Sequence, residues 1–516
     1  MTTSNTKFIV KKYIEFCNKN NIRVQTYQIY GVLWCIRKER EVRELENKCT
    51  GGILADDMGM GKTIQMIMTI FLNFKKKTLI ILPPILIQQW YSEILNILGH
   101  SSFLYYKKNK NIARLYNATK STIVITSYDT FLRSPELLDI HWNRVICDEA
   151  HHLRNPNTKI YKKMCLLNTD ILWGITGTPI HNKIGDIAAL ISLFRKNPPK
   201  KMKISEECYK SMILRRMKIN TTDILLPNKM EIQEIIPWTN RRELKIAKDI
   251  HITNKDSFWN TKHTSELVTM IRAKQLCILP KLLEKTIQKF ELDEPDDLFP
   301  TDFKYITNQN SSCKLTAIIH CISERIHNGH GKIIFCHFQL EMTKIAELLR
   351  ARPEIDNNKI WIGNWKEFLK KDKTKHHHQI PILILQIQAG CEGLNLQHDF
   401  SEVYFVSPNW NPTLEEQAIA RCYRIGQQKE VFVFRFYMDN LRYISEKKET
   451  EKDIRKYTWI INRIPEDLQR IVNEYLDDNN NDDTKTTNNY SMDQYILSTQ
   501  NKKRKQITDF IDKITT

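Results

Sequence analysis

Short apolar runs separated by longer amphipathic stretches set the rhythm of the chain from about residue 25 to 195. Ile53-Leu54-Ala55, Thr78–Leu82, Thr122–Ile125, Val145–Cys147 and Leu172–Ile175 are brief and rich in Ile, Leu and Val. Such runs predict strands buried on both faces. Between them, Thr63–Phe74 and Gln88–Leu98 carry the spacing of amphipathic helices. Strand–helix alternation implies a parallel sheet with helices on both sides. The same rhythm returns at Lys332–Phe335, Ile382–Leu385 and Val403–Val406, with helices expected at Gln339–Arg350 and Thr413–Cys422. The expected fold class is α/β, with two parallel-sheet lobes.

At 516 residues the chain exceeds the roughly 250–300 residues at which one core stops growing, so two lobes plus appendages fit its length. Strand signals fade over 197–312, where charged helical patterns predict an insertion between the lobes and Asp293–Asp297 marks a loop. Beyond about 450 a charged helical stretch runs into Asp477–Asp483 and Thr/Asn-rich sequence, a composition that builds no core. The expected divisions are an N-terminal extension over 1–21, lobe one over 22–196, a helical linker over 197–312, lobe two over 313–450, and a C-terminal extension with a disordered basic tail over 451–516. Within that tail, Lys502–Lys505 reads equally as a solvated charge run, a nuclear signal or a phosphate-contacting segment.

Composition narrows the partners. Lys and Arg number 78 against 59 Asp and Glu, a formal charge of +19 that favours a polyanion such as nucleic acid. An AT-rich coding sequence would inflate Lys, Asn and Ile as well, and suits a microbe or a large DNA virus. The 12 cysteines include no Cys-x-x-Cys pair, which argues against a zinc module and a disulfide framework. The N-terminus lacks a signal-peptide apolar core, and no apolar run approaches the roughly 20 residues that span a bilayer. The expectation is an intracellular protein with no membrane partner, in the nucleus or, for a virus, at its site of DNA replication or in the virion. His376-His377-His378 sits in a Lys-rich polar stretch and is expected to be a surface loop.

The chemistry begins in Gly51–Gln65. Asp57-Met58-Gly59-Met60-Gly61-Lys62-Thr63 follows an expected strand and opens an expected helix, an arrangement that aims backbone N–H groups and a helix N-terminus at phosphate. Gly59 and Gly61 admit close backbone approach, Lys62 is placed for the β- and γ-phosphates, and the Thr63 hydroxyl for Mg2+. Asp56 stands where the strict phosphate-loop pattern has its first glycine. Downstream, Asp148-Glu149 follows Arg144–Cys147, offering a metal carboxylate and a base for water. Charge reasoning alone does not divide these two roles within the pair. The expected cofactors are ATP and Mg2+. In the second lobe, Gln417-Ala-Ile-Ala-Arg421-Cys-Tyr-Arg424 sets two arginines three apart on a predicted helix, hence on one face. Paired guanidinium groups suit phosphate, and one could act as an arginine finger.

In this order the motifs resemble those of the Swi/Snf-type branch of the superfamily-two helicase-like ATPases, over about residues 22–440. Tyr27-Gln28 with Gly31 and Trp34 is similar to the adenine-reading Q motif. Gly51–Gln65 is similar to motif I in the family's Ala-Asp-x-Met-Gly-x-Gly-Lys-Thr form, which accounts for Asp56. Leu82–Trp90, Val124–Tyr128, Asp148–His151, Gly174–Asn182, Lys332–Phe338, Ala389–Leu396 and Gln417–Gln427 resemble motifs Ia, Ib, II, III, IV, V and VI. Leu214-Arg215-Arg216 with Leu226-Pro227, and Trp410-Asn411-Pro412, resemble segments particular to this branch. The wording is similar to the repair and transcription-factor relatives (lodestar, helicase-like transcription factor), without the RING domain that many of them carry. Gly390-Cys391 departs from the usual Gly-Gly of motif V, and Trp361-Ile-Gly363 is a reduced form of the segment after motif IV.

The resemblance implies two RecA-like lobes and an ATP- and Mg2+-dependent DNA translocase, working on duplex DNA through its phosphate backbone. It implies Gln28 at the adenine, and Asp57, Met58, Met60 and their glycines at the nucleotide. Lys62, Asp148, Glu149, Gln417, Arg421 and Arg424 carry hydrolysis in that reading. Thr176 and Thr178 couple the sites, and Thr126, Ser127, Gly390, Gly393 and Asn395 meet the phosphodiester track. A strand-separating DNA or RNA helicase and an inactive nucleic-acid-binding scaffold are the alternatives.

Overall fold

The computed structural model describes residues 3–20, 22–41, 49–107, 115, 122–178, 185–194, 206–218, 221, 226–251, 266–284, 310–363, 382–390, 395–443 and 491–515. Thirteen described strands form two wholly parallel sheets. The first holds β1 (Thr50–Leu54), β2 (Lys77–Leu82), β3 (Phe103–Leu104), β4 (Thr122–Ser127), β5 (Trp142–Asp148), β6 (Thr169–Ile175) and β7 (Ile213–Leu214), in the order β3-β4-β2-β5-β6-β1-β7. The second holds β8 (Lys229–Trp238), β9 (Gly331–Cys336), β10 (Ile360–Ile362), β11 (Ile382–Gln386), β12 (Phe400–Phe405) and β13 (Val431–Tyr443), in the order β10-β11-β9-β12-β13-β8.

Alternation along each strand supplies both faces. In the first sheet Ile53, Leu79, Ile81, Val145 and Leu172 pack on one side, while Leu54, Ile80, Leu82, Ile146 and Trp173 pack on the other. The second sheet divides likewise, with Ile334, Ile384, Tyr404 and Phe434 opposite Ile333, Leu385, Val403 and Val433. Helix α1 (Thr3–Lys19) buries Ile9, Tyr13 and Phe16 with Val32 and Ile36 of α2 (Thr26–Arg40) and Met68 of α3 (Lys62–Leu72). Helix α4 (Ile87–Leu98) puts Trp90 against the first sheet.

The segment 197–312, expected to be a helical linker, contributes strands to both sheets, β7 to the first and β8 to the second. Strand β8 is an edge strand paired with β13, and its sequence KMEIQEIIPW carries exposed polar positions and a proline, which masks its strand character. Of the expected disordered tail, 492–515 is the helix Met492–Thr515, while Asp477–Asp483 lies outside the described residues. His376–His378 and Asp293–Asp297 also lie outside them.

Register positions the site. Leu54 pairs with Ile175, and Ile175 with Asp148. The loops leaving β1, β5 and β6 therefore open side by side at the carboxyl edge of the sheet, where open α/β folds bind ligands.

Candidate nucleotide site

The loop expected to meet phosphate leaves β1 at Ala55 and runs into the helix that opens at Lys62. Gly59 and Gly61 have φ of +81° and +72°, a region that favours glycine. A Cβ on Gly61 would lie 2.5 Å from Gln28 Nε2, and one on Gly59 would lie 2.8 Å from Cβ of Arg424, in the second lobe. Lys62 opens α3 and donates to the carbonyls of Asp56 (2.7 Å) and Asp57 (3.1 Å). Burial lowers its pKa, opposed by Glu149, Asp56 and Asp148. Thr63 is half-buried in the first turn of α3, Met60 is fully buried, and Met58 packs beside Gly177.

Gln28 is buried and internally bonded. Its Oε1 accepts from Tyr13 (2.7 Å), and its Nε2 donates to the Met60 carbonyl (3.1 Å), to which Tyr27 also donates (3.0 Å). These contacts brace the phosphate loop from below, so in this structure the Gln28 amide holds the loop. The Asp56 carboxylate accepts from Arg216 (Nε, 2.9 Å) and Gln65 (3.1 Å), and Asp57 accepts from Arg215 (3.1 Å). The residue in the place of the loop's first glycine is thus a buried anchor for an arginine 160 residues away.

Asp148 ends β5. Its Oδ2 accepts from the Trp90 indole (2.7 Å) and its Oδ1 from the Glu149 N–H (2.9 Å). Burial and the adjacent Glu149 raise its pKa to about 7. Glu149 has φ of +49°, unusual for a side chain with a Cβ, and its Oε2 lies 3.2 Å from His151 Nδ1. Burial alone would raise its pKa, but His151, Arg421 and Lys62 hold it below the usual carboxylate range. Tyr128, the first residue after β4, donates to the Asp148 carbonyl at 2.8 Å. The Thr176 hydroxyl accepts from the Thr178 N–H at 3.1 Å, and Thr178 Oγ1 is buried without a hydrogen-bond partner.

The helix Pro412–Ile419 ends before the two arginines, contrary to the expected helix through Cys422. Arg421 and Arg424 occupy the turns that follow, closed by Arg421 N–H to Ala418 and Tyr423 N–H to Ile419 carbonyl bonds, with Gly426 at φ +98°. Arg424 donates to Asn395, and its pKa is pushed down to about 10 by burial and by Arg421, against the pull of Glu93. Gln417 Nε2, Arg421 Nε and Arg424 Nε are buried without hydrogen-bond partners. Unmet buried donors are costly, and those on Arg424, beside Gly59, and on Arg421, within electrostatic reach of Glu149, suit an anion.

The other expected nucleic-acid residues are dispersed. The Thr126 hydroxyl donates to the Tyr105 carbonyl (2.8 Å), and Ser127 caps the helix Tyr128–Arg133 by accepting from Thr130. Both side chains are buried, which leaves only their backbone region for a strand. Gly390 ends the short helix Ile387–Gly390, and Asn395 is exposed. Gly393 lies outside the described residues.

No three His, Cys, Asp or Glu side chains converge as a metal site among the described residues. Mg2+ needs no such cage, being commonly held by one or two carboxylates, waters and substrate phosphates. Asp148, within electrostatic reach of Lys62 and hence near Thr63, fits that pattern. Among the described residues, no helix is long and apolar enough to cross a membrane. The Tyr128 and Tyr13 contacts carry no signal in the sequence, and Trp90, Arg215 and Arg216 stand in it only as letters of motifs.

Residues 27–211 match the model of the SNF2-related domain. The chain is 26% identical over 474 residues to a probable global transactivator of Orgyia pseudotsugata multicapsid polyhedrosis virus, covering 84% of this chain and 90% of that protein. It is 27% identical over 486 residues to human chromodomain-helicase-DNA-binding protein 6, covering 84% of this chain but 17% of that much longer protein. A solved structure, the Sulfolobus solfataricus SWI2/SNF2 ATPase core in complex with dsDNA, is 23% identical, covers 87% of this chain and 96% of that chain, and gives a TM-score of 0.36.

Proposed function

We propose, from the match of residues 27–211 to the SNF2-related domain, that the chain is a DNA-stimulated ATPase that moves along duplex DNA and remodels DNA or protein–DNA complexes inside the cell. The observation that carries this reading is the approach of the Arg421–Arg424 turn to the phosphate loop, with Arg424 packed against Gly59 from the opposite sheet. ATP would lie on the loop 57–63, with Lys62 and the N-terminus of α3 facing its phosphates. Thr63 and Asp148 would hold Mg2+, which when bound neutralises phosphate charge. Glu149 stays ionised beside Asp148 and would orient and polarise the attacking water, taking its proton. Gln417, Arg421 and Arg424 would meet the charge that develops on the γ-phosphoryl oxygens.

Hydrolysis removes the anion that both lobes grip, so each turnover alters the force between the sheets. This is the requirement for a motor. Tyr128 links the Asp148 carbonyl to the end of β4, where Thr126 and Ser127 would meet the DNA backbone, and Thr176 follows Ile175, the strand partner of Asp148. The excess of 19 positive charges favours a phosphate track and predicts steep salt dependence.

The test is ATPase activity with no polymer, duplex DNA, single-stranded DNA or RNA, for wild type, Lys62→Ala and Arg424→Ala. Duplex DNA is expected to stimulate most, and each variant to lose about 100-fold or more in kcat. Stimulation by RNA and not duplex DNA would overturn the substrate, and equal rates in Lys62→Ala would overturn the site.

A further inference from the structure

Parallel pairing of β7 with β1 does not stop at Leu214. Ala55 N–H donates to the Leu214 carbonyl (2.7 Å), and Asp57 N–H to that of Arg216 (3.0 Å). The segment 214–218 therefore runs alongside the phosphate loop as an informal extension of the sheet, and it delivers Lys218 over Gly59. The Lys218 N–H donates to Asp57 Oδ2 at 3.1 Å, so its backbone is tied to the first lobe. Its ammonium crosses the cleft and donates to the Tyr423 carbonyl at 2.7 Å, lying 5.2 Å from the centre of the Tyr423 ring. Tyr423 sits between Cys422 and Arg424, in the turn that carries both arginines. The same ammonium is 3.5 Å from where a Gly59 Cβ would be.

We infer that Lys218 is an inter-lobe positioning residue, whose ammonium fixes the distance at which the Arg421–Arg424 turn meets the phosphate loop. This rests on the ATPase reading above and adds to it a specific strut. The bond runs to a backbone carbonyl, so it reports the path of the turn and not the rotamer of any side chain. It is also sheltered: Asp57, Lys62, Arg424 and Lys229 are the charged groups around it, and burial lowers the Lys218 pKa to about 7 against the pull of Asp57. A surface lysine would exchange such a bond with water at almost no cost; a half-buried one donating across the cleft holds the walls together. Each closure of the cleft must remake this contact, so the residue acts on the step in which the arginines reach the substrate and not on nucleotide capture by the loop.

The experiment uses the full chain and measures ATPase kinetics at saturating duplex DNA for Lys218→Met, Lys218→Gln and Lys218→Arg. Small-angle scattering reads the lobe spacing of each. Expected is a fall of about tenfold or more in kcat for Lys218→Met with KM for ATP within about threefold, and substantial rescue by Lys218→Arg, whose guanidinium can also reach a carbonyl. Lys218→Gln serves in place of Lys218→Met should the latter melt without cooperativity. Adding Arg424→Ala to Lys218→Met should cost little beyond Arg424→Ala alone, because both act through one turn. Wild-type kcat in Lys218→Met, or losses that multiply in the double variant, would overturn the inference. A wild type without ATPase activity whose Lys218→Met form has a larger radius of gyration would sink the hydrolysis reading and leave the strut standing; unchanged scattering there would sink both.

Discussion

The indole of Trp90 donates to the Asp148 carboxylate at 2.7 Å, with the tryptophan on α4 and the aspartate at the end of β5. Both side chains are buried, so the bond is shielded from water, and it is charge-assisted above about pH 7, where the carboxyl is ionised. Trp90→Phe keeps the apolar contact and removes the donor. The expected loss is about 1.5–3 kcal/mol in urea unfolding, the usual worth of a hydrogen bond to a charged group. Because that bond favours the ionised form, the variant should also need more Mg2+ for half-maximal ATPase activity. A Mg2+ titration indistinguishable from wild type would refute this.

Much of the fold could be read in advance because buried parallel strands announce themselves. Ile53–Ala55, Thr78–Leu82 and Lys332–Phe335 are apolar nearly throughout since both faces are covered. The candidate phosphate loop and Asp148-Glu149 stand out in the sequence for a different reason: the chemistry expected of them fixes residue type at short spacing. What escaped is long-range. Asp56 and Arg216 are 160 residues apart, and nothing periodic joins them. Strand β8 reads as a polar segment because it is an edge. The arginine pair reads as helical because i, i+3 spacing looks the same in a helix and in the successive turns that replace it here.

The acid–base state of Asp148 should govern Mg2+ affinity near neutral pH. Burial raises its pKa from 3.8 to about 7 in the metal-free protein, so below that value the carboxyl is largely protonated. A metal binds the carboxylate and must displace that proton. Apparent Mg2+ affinity should therefore rise by about tenfold per pH unit below 7 and level off above it. Stability without metal runs the other way. The folded state binds the extra proton between about 4 and 7, so this group's contribution falls as pH rises through that window. Isothermal titration calorimetry at pH 5.5, 6.5, 7.5 and 8.5 tests the first point, and a flat profile would dismiss it.

Glu149→Gln preserves size and removes the charge beside Asp148. If Glu149 orients and activates water, kcat should fall about 100-fold or more while nucleotide affinity changes little. The repulsion that helps raise the Asp148 pKa also disappears, so the pH profile of Mg2+ binding should move to lower pH than in wild type. The pair of readouts separates a catalytic loss from misfolding, since an unfolded chain would show neither retained nucleotide affinity nor a shifted profile.

The C-terminal helix is fixed to the second lobe by a buried ion pair, Lys314 with Asp493, both side chains fully inaccessible. Asp493 accepts from Ser407 (3.2 Å) and from the Met438 N–H (3.0 Å), so one carboxylate ties together the helix Cys313–Glu324, the end of β12 and strand β13. Ile496 and Met492 complete the joint with apolar packing. Asp493→Ala would leave the Lys314 ammonium buried without its counter-charge, which costs about 3–5 kcal/mol. The expected outcome is a lower urea midpoint and earlier proteolytic cleavage within 491–515, with Lys503 and Arg504 losing their contacts to Trp410 and Glu416. Replacing both partners, Lys314→Met with Asp493→Leu, removes the stranded charge and should recover most of that loss. Recovery would show that the helix docks by burial and that the ion pair selects its register; no loss in the single variant would mean that the helix is not held by this joint at all.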